Sequence, residues 1–98
     1  MFELFKNAFE LFKNADDELH YIGFIKIRDD EYGCEYARQF STVTQKVVII
    51  RKKSGRHIIQ SYDPTLFDAQ NIGNTCVGLT GYEMSLFLKK MKQIGLYN

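Results

Sequence analysis

The stretch QKVVIIRKK, residues 45–53, places four consecutive β-branched apolar residues between polar flanks. Branched side chains favour β-strands, because they pack well on a pleated surface. An uninterrupted apolar run, unlike an alternating one, is typical of a strand that is covered on both faces. We therefore predict a central strand here and interpret the remainder of the chain outward from it.

Two further strands are predicted before this run, because apolar and polar residues alternate there with a period of two. Residues 19–28 form the first, and its odd positions are expected to face the core. Residues 32–43 form the second, which places Cys34, Tyr36 and Phe40 on one face.

A fourth strand is predicted after the central run. Ser54 and Gly55 indicate a two-residue hairpin turn, and residues 56–62 then form the strand. Asp63 and Pro64 should end it, since Asp can cap a short helical turn and Pro suits its first position. That turn is expected to run through Leu66 and Phe67, with an irregular connection over residues 71–78.

The N-terminal stretch FELFKNAFELFKNA, residues 2–15, repeats one seven-residue unit without change. On a helix, Phe2, Phe5, Phe9 and Phe12 form one row, and the row beside it contains Leu4, Ala8, Leu11 and Ala15. The stretch therefore predicts an amphipathic helix from Phe2 to Ala15. Three acidic residues follow at 16–18, and we expect the helix to end or fray there, since acids are unfavourable at the negative end of a helix dipole.

The last predicted helix has clear start and stop signals. Thr80 and Glu83 match a capping box, and Leu79 and Met84 match the accompanying hydrophobic staple. A stripe at helical spacing follows, formed by Met84, Phe87, Leu88, Met91 and Ile94. Gly95 is placed to end the helix.

The element order of helix, four strands and helix predicts an α+β domain with an antiparallel sheet and helices packed on it. The chain has 98 residues, of which 45% are hydrophobic and 26% are charged. This size and balance indicate one globular domain over residues 1–98. No apolar run reaches the length of a membrane span and no signal peptide is recognisable, so a cytoplasmic protein without membrane attachment is expected.

The apolar face of residues 2–15 must be covered, because four exposed phenylalanines would be costly in so small a domain. The covering surface could be the protein's own sheet, a second subunit in a homodimer, or a membrane surface. A further apolar pair on the last helix is expected to be exposed among lysines. The predicted self-association or partner interface therefore comprises Phe2, Phe5, Phe9, Phe12, Tyr82 and Leu86.

A basic hairpin, RKKSGRH at residues 51–57, is the second candidate site. Its side chains could contact phosphates. The alternative is an ordinary solvent-exposed hairpin tip, whose lysines discourage edge-to-edge aggregation. The nucleic-acid or anion contacts predicted under this alternative are Arg51, Lys52, Lys53, Arg56, His57, Lys89 and Lys90, helped by Lys92. Charge is also divided along the chain, since residues 1–35 are net acidic and residues 36–98 are net basic.

Catalytic and metal motifs are not recognisable. The acidic triplets at 16–18 and 29–31 lack the spacing of a calcium loop, and the histidines and cysteines are too dispersed for zinc. Both cysteines, Cys34 and Cys76, are interpreted as buried thiols. No metal and no cofactor is expected.

These observations favour a small non-enzymatic module that binds another protein and acts as a regulator or inhibitor. A homodimer through residues 2–15 is possible, and the composition hints at a phage or mobile-element source. The alternative is a nucleic-acid-binding protein that uses the hairpin at 51–57 against phosphates.

Overall fold

The computed structural model of the chain describes residues 14–66 and 75–96. In chain order the elements are helix α1 (Ala15–Tyr21), strands β1 (Ile25–Asp30), β2 (Gly33–Phe40), β3 (Val43–Ile50) and β4 (Ile58–Tyr62), a 3-10 turn (Pro64–Leu66) and helix α2 (Gly81–Gln93). This arrangement confirms the predicted α+β fold class, with a helix before and a helix after a four-stranded sheet.

The sheet is an antiparallel meander in the order β1-β2-β3-β4. Strand β3 is therefore internal, and Val47, Val48 and Ile49 are all buried. The prediction that this apolar run forms a central strand covered on both faces is confirmed. Cys34 and Tyr36 of strand β2 are buried in the core, whereas Phe40, predicted on the same face, is 44% exposed.

The core lies between the sheet and the two helices. Phe87 of α2 meets Phe24 and Tyr36 edge to face, with ring centroids 5.2 and 5.5 Å apart. Such aromatic pairs add stability beyond the burial of their area. The buried cluster comprises Leu19, Phe24, Cys34, Tyr36, Val47, Ile49, Leu86, Phe87, Met91 and Leu96.

Helix α1 corrects the prediction for residues 16–28. The Asn14 side chain accepts a hydrogen bond from the backbone N–H of Asp17, so a helix begins where one was expected to end. The acids at 16–18 occupy the first turn, where the positive end of the helix dipole favours them. The predicted strand over 19–28 is wrong for its first residues, because Leu19 belongs to α1 and β1 begins only at Ile25.

The predicted faces of β1 are also wrong. Lys26 pairs with Tyr36 and Arg28 with Glu35, so Ile27 is the extra residue of a bulge. Ile25 and Ile27, expected in the core, are 64% and 55% exposed. The bulge shifts the alternation by one residue, and it thereby brings Lys26 and Asp29 to the helix-covered face together.

The connection from β3 to β4 is longer than the predicted two-residue hairpin. Ile50 pairs with Ile58, which leaves residues 51–57 outside the strands. The tight turn spans Lys52 to Gly55, with the Gly55 N–H donating to the Lys52 carbonyl at 3.0 Å. The pairing of β3 with β4 is therefore shifted by one residue from the pairing that a two-residue turn at Ser54 and Gly55 would give.

Helix α2 begins and ends as predicted. The Thr80 hydroxyl accepts from the Glu83 N–H, and the Glu83 carboxylate accepts from the Thr80 N–H, which completes the capping box. Gly95 follows the helix with φ +79°, a conformation that suits glycine. Met84, predicted to lie in the core stripe, is instead partly exposed at the surface.

Among the described residues, no helix is both long and apolar enough to span a membrane.

Candidate functional site

The basic hairpin projects from the sheet with its cationic side chains exposed. Arg51, Lys52, Lys53 and Arg56 are all exposed, and none forms an ion pair with a described residue. His57 is half-buried, and its Nδ1 accepts a hydrogen bond from the Lys52 backbone N–H at 3.0 Å. The loop therefore holds four positive charges within one short segment, and no described residue compensates them with an ion pair.

Most basic side chains elsewhere in the described residues are neutralised. Arg28 pairs with Asp30 at 2.7 Å, for example, and Lys46 pairs with Glu35 at 3.3 Å. The paired bases are Lys26, Arg28, Arg38, Lys46, Lys89 and Lys90. The hairpin is thus a local excess of positive charge on a nearly neutral chain.

Two lysines predicted to assist the hairpin are engaged elsewhere. Lys90 is only 6% exposed, and its Nζ lies 2.8 Å from Asp29 and 3.0 Å from Asp16. Lys89 forms an ion pair with the buried carboxylate of Glu18. The Lys90 side chain is thus buried between helix and sheet, whereas the predicted contact with an external anion requires an accessible ammonium group. Lys92 is exposed.

A trough runs along β4, the last strand of the sheet. One cavity of about 470 Å³ lies between this strand and α2, and its apolar lining includes Ile59, Met84 and Leu88. Arg56 and His57 form one end of it. A second cavity, of about 480 Å³, lies farther along the same strand and also includes Ile59. The trough therefore combines an apolar floor with a basic end.

Two predicted interface residues on α2 differ in their environment. Tyr82 is 49% exposed, which is compatible with the predicted interface. Leu86 is only 3% exposed and belongs to the core cluster, so its predicted exposure is wrong. The other four predicted interface residues, Phe2, Phe5, Phe9 and Phe12, lie outside the described residues.

A cluster of charged and polar side chains connects α1, β1 and α2. Lys90 contacts Asp16 and Asp29, and Lys26 contacts the same two carboxylates at 3.0 and 3.5 Å. The Tyr36 hydroxyl donates a hydrogen bond to Asp16. Two carboxylates and two ammonium groups thus alternate across the helix–sheet boundary.

The cluster favours the ordinary charged state of each ion. Burial raises the pKa of Asp16, but hydrogen bonds from Tyr36, Lys90 and Lys26 outweigh it and leave this pKa below its usual value. Burial likewise opposes the Lys90 ammonium, yet hydrogen bonds to Asp29 and Asp16 leave its pKa raised. The carboxylates are therefore ionised and the lysine protonated near neutral pH, an arrangement suited to holding elements together rather than to transferring protons.

Arg38 forms a second link between the sheet and α2. Its guanidinium lies 4.3 Å from the centroid of the Phe24 ring and forms an ion pair with Glu83. Burial raises the pKa of Glu83, but the Thr80 backbone hydrogen bond and the Arg38 contact outweigh it and lower this pKa overall. The capping glutamate therefore anchors both its own helix and the sheet.

The two cysteines lie in different environments, and both are free thiols. Cys34 is buried, as predicted, and its Sγ donates to Asp29 at 3.5 Å. Burial and then the Asp29 charge raise the pKa of Cys34 to about 11, which leaves it a neutral thiol. Cys76 is exposed, so its predicted burial is wrong. The described residues contain no group of three or more His, Cys, Asp or Glu side chains placed to hold a metal ion.

The trough was not predicted from the sequence. Its lining residues belong to four separate segments, around residues 55–62, 75–76, 84–91 and 96. One available signal was the topology: in a meander the last strand lies at an edge, and an edge strand presents unpaired backbone groups. The partial exposure of Met84 had no such signal, because its spacing matches the buried stripe.

No family model matches the chain, and neither the curated proteins nor the solved structures gave a match.

Proposed function

We propose that this chain is a small, non-enzymatic, cytoplasmic module that binds another protein and acts as a regulator or inhibitor. The observation that carries the proposal is the trough along β4. Apolar side chains of the strand and of α2 line it, and its end at Arg56 and His57 is basic. Apolar clefts with a few charged groups at the rim are typical of recognition surfaces.

The ionic cluster supports the non-enzymatic part of the proposal. It joins Asp16, Asp29, Lys26 and Lys90 by ion pairs, and the shifts in their pKa values favour fixed charges. Lys90 is held protonated and the thiol of Cys34, which contacts Asp29, is held neutral, so neither is activated as a nucleophile. The cluster thus joins α1, β1 and α2 through ion pairs.

The proposal is tested by capturing partners from the source organism's lysate on the immobilised protein. Met84→Glu places a charge in the trough at a partly exposed position, whereas Ser85→Glu makes the same kind of change at an exposed position of α2 that does not line the cavity. We expect specific captured proteins to be lost with Met84→Glu and retained with Ser85→Glu. Equal capture by both variants, or no capture at physiological salt, would contradict binding through the trough.

Self-association through residues 2–15 remains part of the proposal, although residues 2–13 lie outside the described part of the chain. The repeated apolar face motivates it. Light scattering of the wild type beside a Phe5→Glu, Phe12→Glu variant tests it, with a dimer expected to become a monomer. A monomeric wild type removes this part of the proposal.

A second candidate function, nucleic-acid binding, is favoured by the four basic side chains of the hairpin that form no ion pair with a described residue. An exposed aromatic lies beside them, since the Arg51 N–H donates to the Tyr32 carbonyl at 3.0 Å and Tyr32 is 68% exposed. Phosphate contacts predict a linear loss of log affinity with log salt concentration. Titration of labelled single- and double-stranded oligonucleotides at several salt concentrations measures this slope. No binding at low salt, or no change after neutralising the four bases, excludes the candidate.

A further inference from the structure

We infer that the partner is recognised as an extended acidic segment with alternating aliphatic side chains, which adds as a further strand to the edge of β4 that the described residues leave open. This inference rests on the proposed protein-binding function and names the class of ligand that the trough would take. Three observations carry it: the backbone of the edge strand, the cavities beside it and the charge of the hairpin.

Among the residues that the structure describes, the backbone of β4 is paired on its outer side only near its C-terminal end. The Val77 N–H donates to the Ser61 carbonyl at 3.1 Å, and the Asp63 N–H donates to the Thr75 carbonyl at 2.7 Å. These bonds show that Ser61 and Asp63 direct their backbone groups away from β3. Because this direction alternates along an antiparallel strand, Ile59 directs its N–H and carbonyl the same way.

The chain itself leaves this edge before it reaches Ile59. Cys76 forms an isolated bridge with Tyr62, and the carbonyl of Gly78 then accepts a hydrogen bond from the Gln45 side chain. No described residue hydrogen-bonds to the outward backbone groups of Ile59. The edge thus already accepts an antiparallel segment at one end and is open, among the described residues, at the other.

The cavities provide room for the side chains of an added strand. Alternate side chains of such a strand point to one face of the sheet, here toward α2. They would enter the 470 Å³ cavity, which Met84, Leu88 and Met91 border from the helix. Methionine adapts its shape to different apolar partners, so this lining suits aliphatic residues without selecting one of them.

The positive charge of the hairpin favours a negatively charged ligand. Arg56 and His57 line the cavity, and none of the described lining residues is acidic. Arg51, Lys52 and Lys53 belong to the same loop and form no ion pair with a described residue. A ligand with carboxylates beside the hairpin would relieve this like-charge repulsion, whereas a basic ligand would add to it.

The inference is tested by NMR on the full chain, with a capped peptide of alternating glutamate and valine matched in length to β4. The Ile59 amide is the decisive probe: it should exchange quickly with solvent in the free protein and become protected when the peptide adds to the edge. Amide shifts are expected at Ile58–Gln60 and at Leu88.

Three control peptides separate the contributions. A lysine–valine peptide keeps the apolar pattern and reverses the charge, a glutamate–serine peptide removes the apolar side chains, and an N-methylated glutamate–valine peptide cannot form the strand ladder. We expect all three to bind at least about tenfold more weakly. Arg56→Glu should weaken the glutamate–valine peptide to a similar extent, and Lys92→Glu, an equal charge change at an exposed site outside the cavity, should not. Circular dichroism verifies that each variant is folded.

Several outcomes would overturn the inference. The first is an Ile59 amide that is already protected in the free protein. The others concern binding: the glutamate–valine peptide does not bind, its binding survives N-methylation, or an oligonucleotide binds at these amides and the peptide does not. Lysate capture assumes no bound conformation, so partners that are captured while the peptides fail would sustain the proposed function and refute only strand addition.

Discussion

The Nζ of Lys90 in α2 lies 2.8 Å from a carboxylate oxygen of Asp29 in β1, and the lysine side chain is buried where it makes this contact. Asp16 of α1 approaches the same nitrogen at 3.0 Å, so one ammonium group joins three elements. Removing one partner from such a pair leaves the remaining charge without its compensation.

Lys90→Met should therefore destabilise the fold by roughly 2–3 kcal/mol. The cost should be lower than for a fully buried pair, because Lys26 still neutralises part of the carboxylate charge. Urea unfolding measures the effect, and Lys92→Met provides the matched control on the exposed side of the helix, with an expected change within about 0.5 kcal/mol. Equal effects of the two substitutions would contradict the assigned role of Lys90.

Stability should fall on the acidic side as the paired carboxylates become protonated. The pKa values of Asp16, Asp29 and Glu83 are lowered in the folded chain from ordinary values of 3.8 and 4.5. The unfolded chain thus binds protons first, so these contributions are complete above the ordinary values and are lost as pH falls through the folded pKa values. Unfolding free energies measured across this range should decline less steeply for Asp29→Asn than for Glu31→Gln, which changes an exposed turn residue. Parallel curves would refute the assignment.

Stability should also fall at alkaline pH, and the titration of the Cys34 thiol should contribute to this loss. Its pKa is raised from 9.0 to about 11, so the unfolded chain loses this proton earlier and the contribution is lost as pH rises through that interval. Urea unfolding between these pH values should show a shallower decline for Cys34→Ala than for the wild type. An unchanged alkaline slope would contradict the raised pKa of this thiol.

The two thiols should react at very different rates. Cys76 is exposed, whereas Cys34 is buried and held neutral. At pH 8, Ellman's reagent is expected to modify Cys76 in a fast phase and to reach Cys34 only when the protein unfolds. Cys76→Ser should abolish the fast phase, and rapid labelling of that variant would show that Cys34 is accessible.

Gly33 should tolerate no side chain. Its φ is +138°, and a β-carbon placed there would lie 1.9 Å from the carbonyl oxygen of Ile49 on the neighbouring strand. Gly33→Ala must displace the backbone of β2 or β3, and we expect a loss of roughly 3 kcal/mol in thermal or urea unfolding. Gly78→Ala is the control, since nothing lies within 4 Å of its added carbon. A stable Gly33→Ala variant would contradict the close approach of the two strands.

The strands and the second helix could be predicted largely from local signals. The apolar run of β3 identified the central strand, and the Thr80–Glu83 pair identified the start of α2. Both depend only on neighbours in sequence, which is why they were recognisable. The predicted α+β class followed from the order of such elements.

The remaining features depend on contacts between distant residues. The acids at 16–18 were interpreted as a helix end because the repeated heptad before them dominated the local pattern, whereas Asn14 in fact caps a new helix. Ile25 and Ile27 have the spacing of a buried face and yet are exposed, and the bulge at Ile27 has no signal in the sequence. Lys90 was expected to be exposed because its partners, Asp16 and Asp29, lie more than 60 positions away. No periodicity could have revealed that pairing.

The meander order implies a sequence of events in folding. Each strand pairs with its chain neighbour, so the sheet can assemble by closing short loops, which costs little chain entropy. The contact between Asp16 and Lys90 instead closes a separation of 74 positions. We therefore expect strand pairing to precede the joining of the two helices. The ion pair between Asp16 and Lys90 should form late, after the strands have paired.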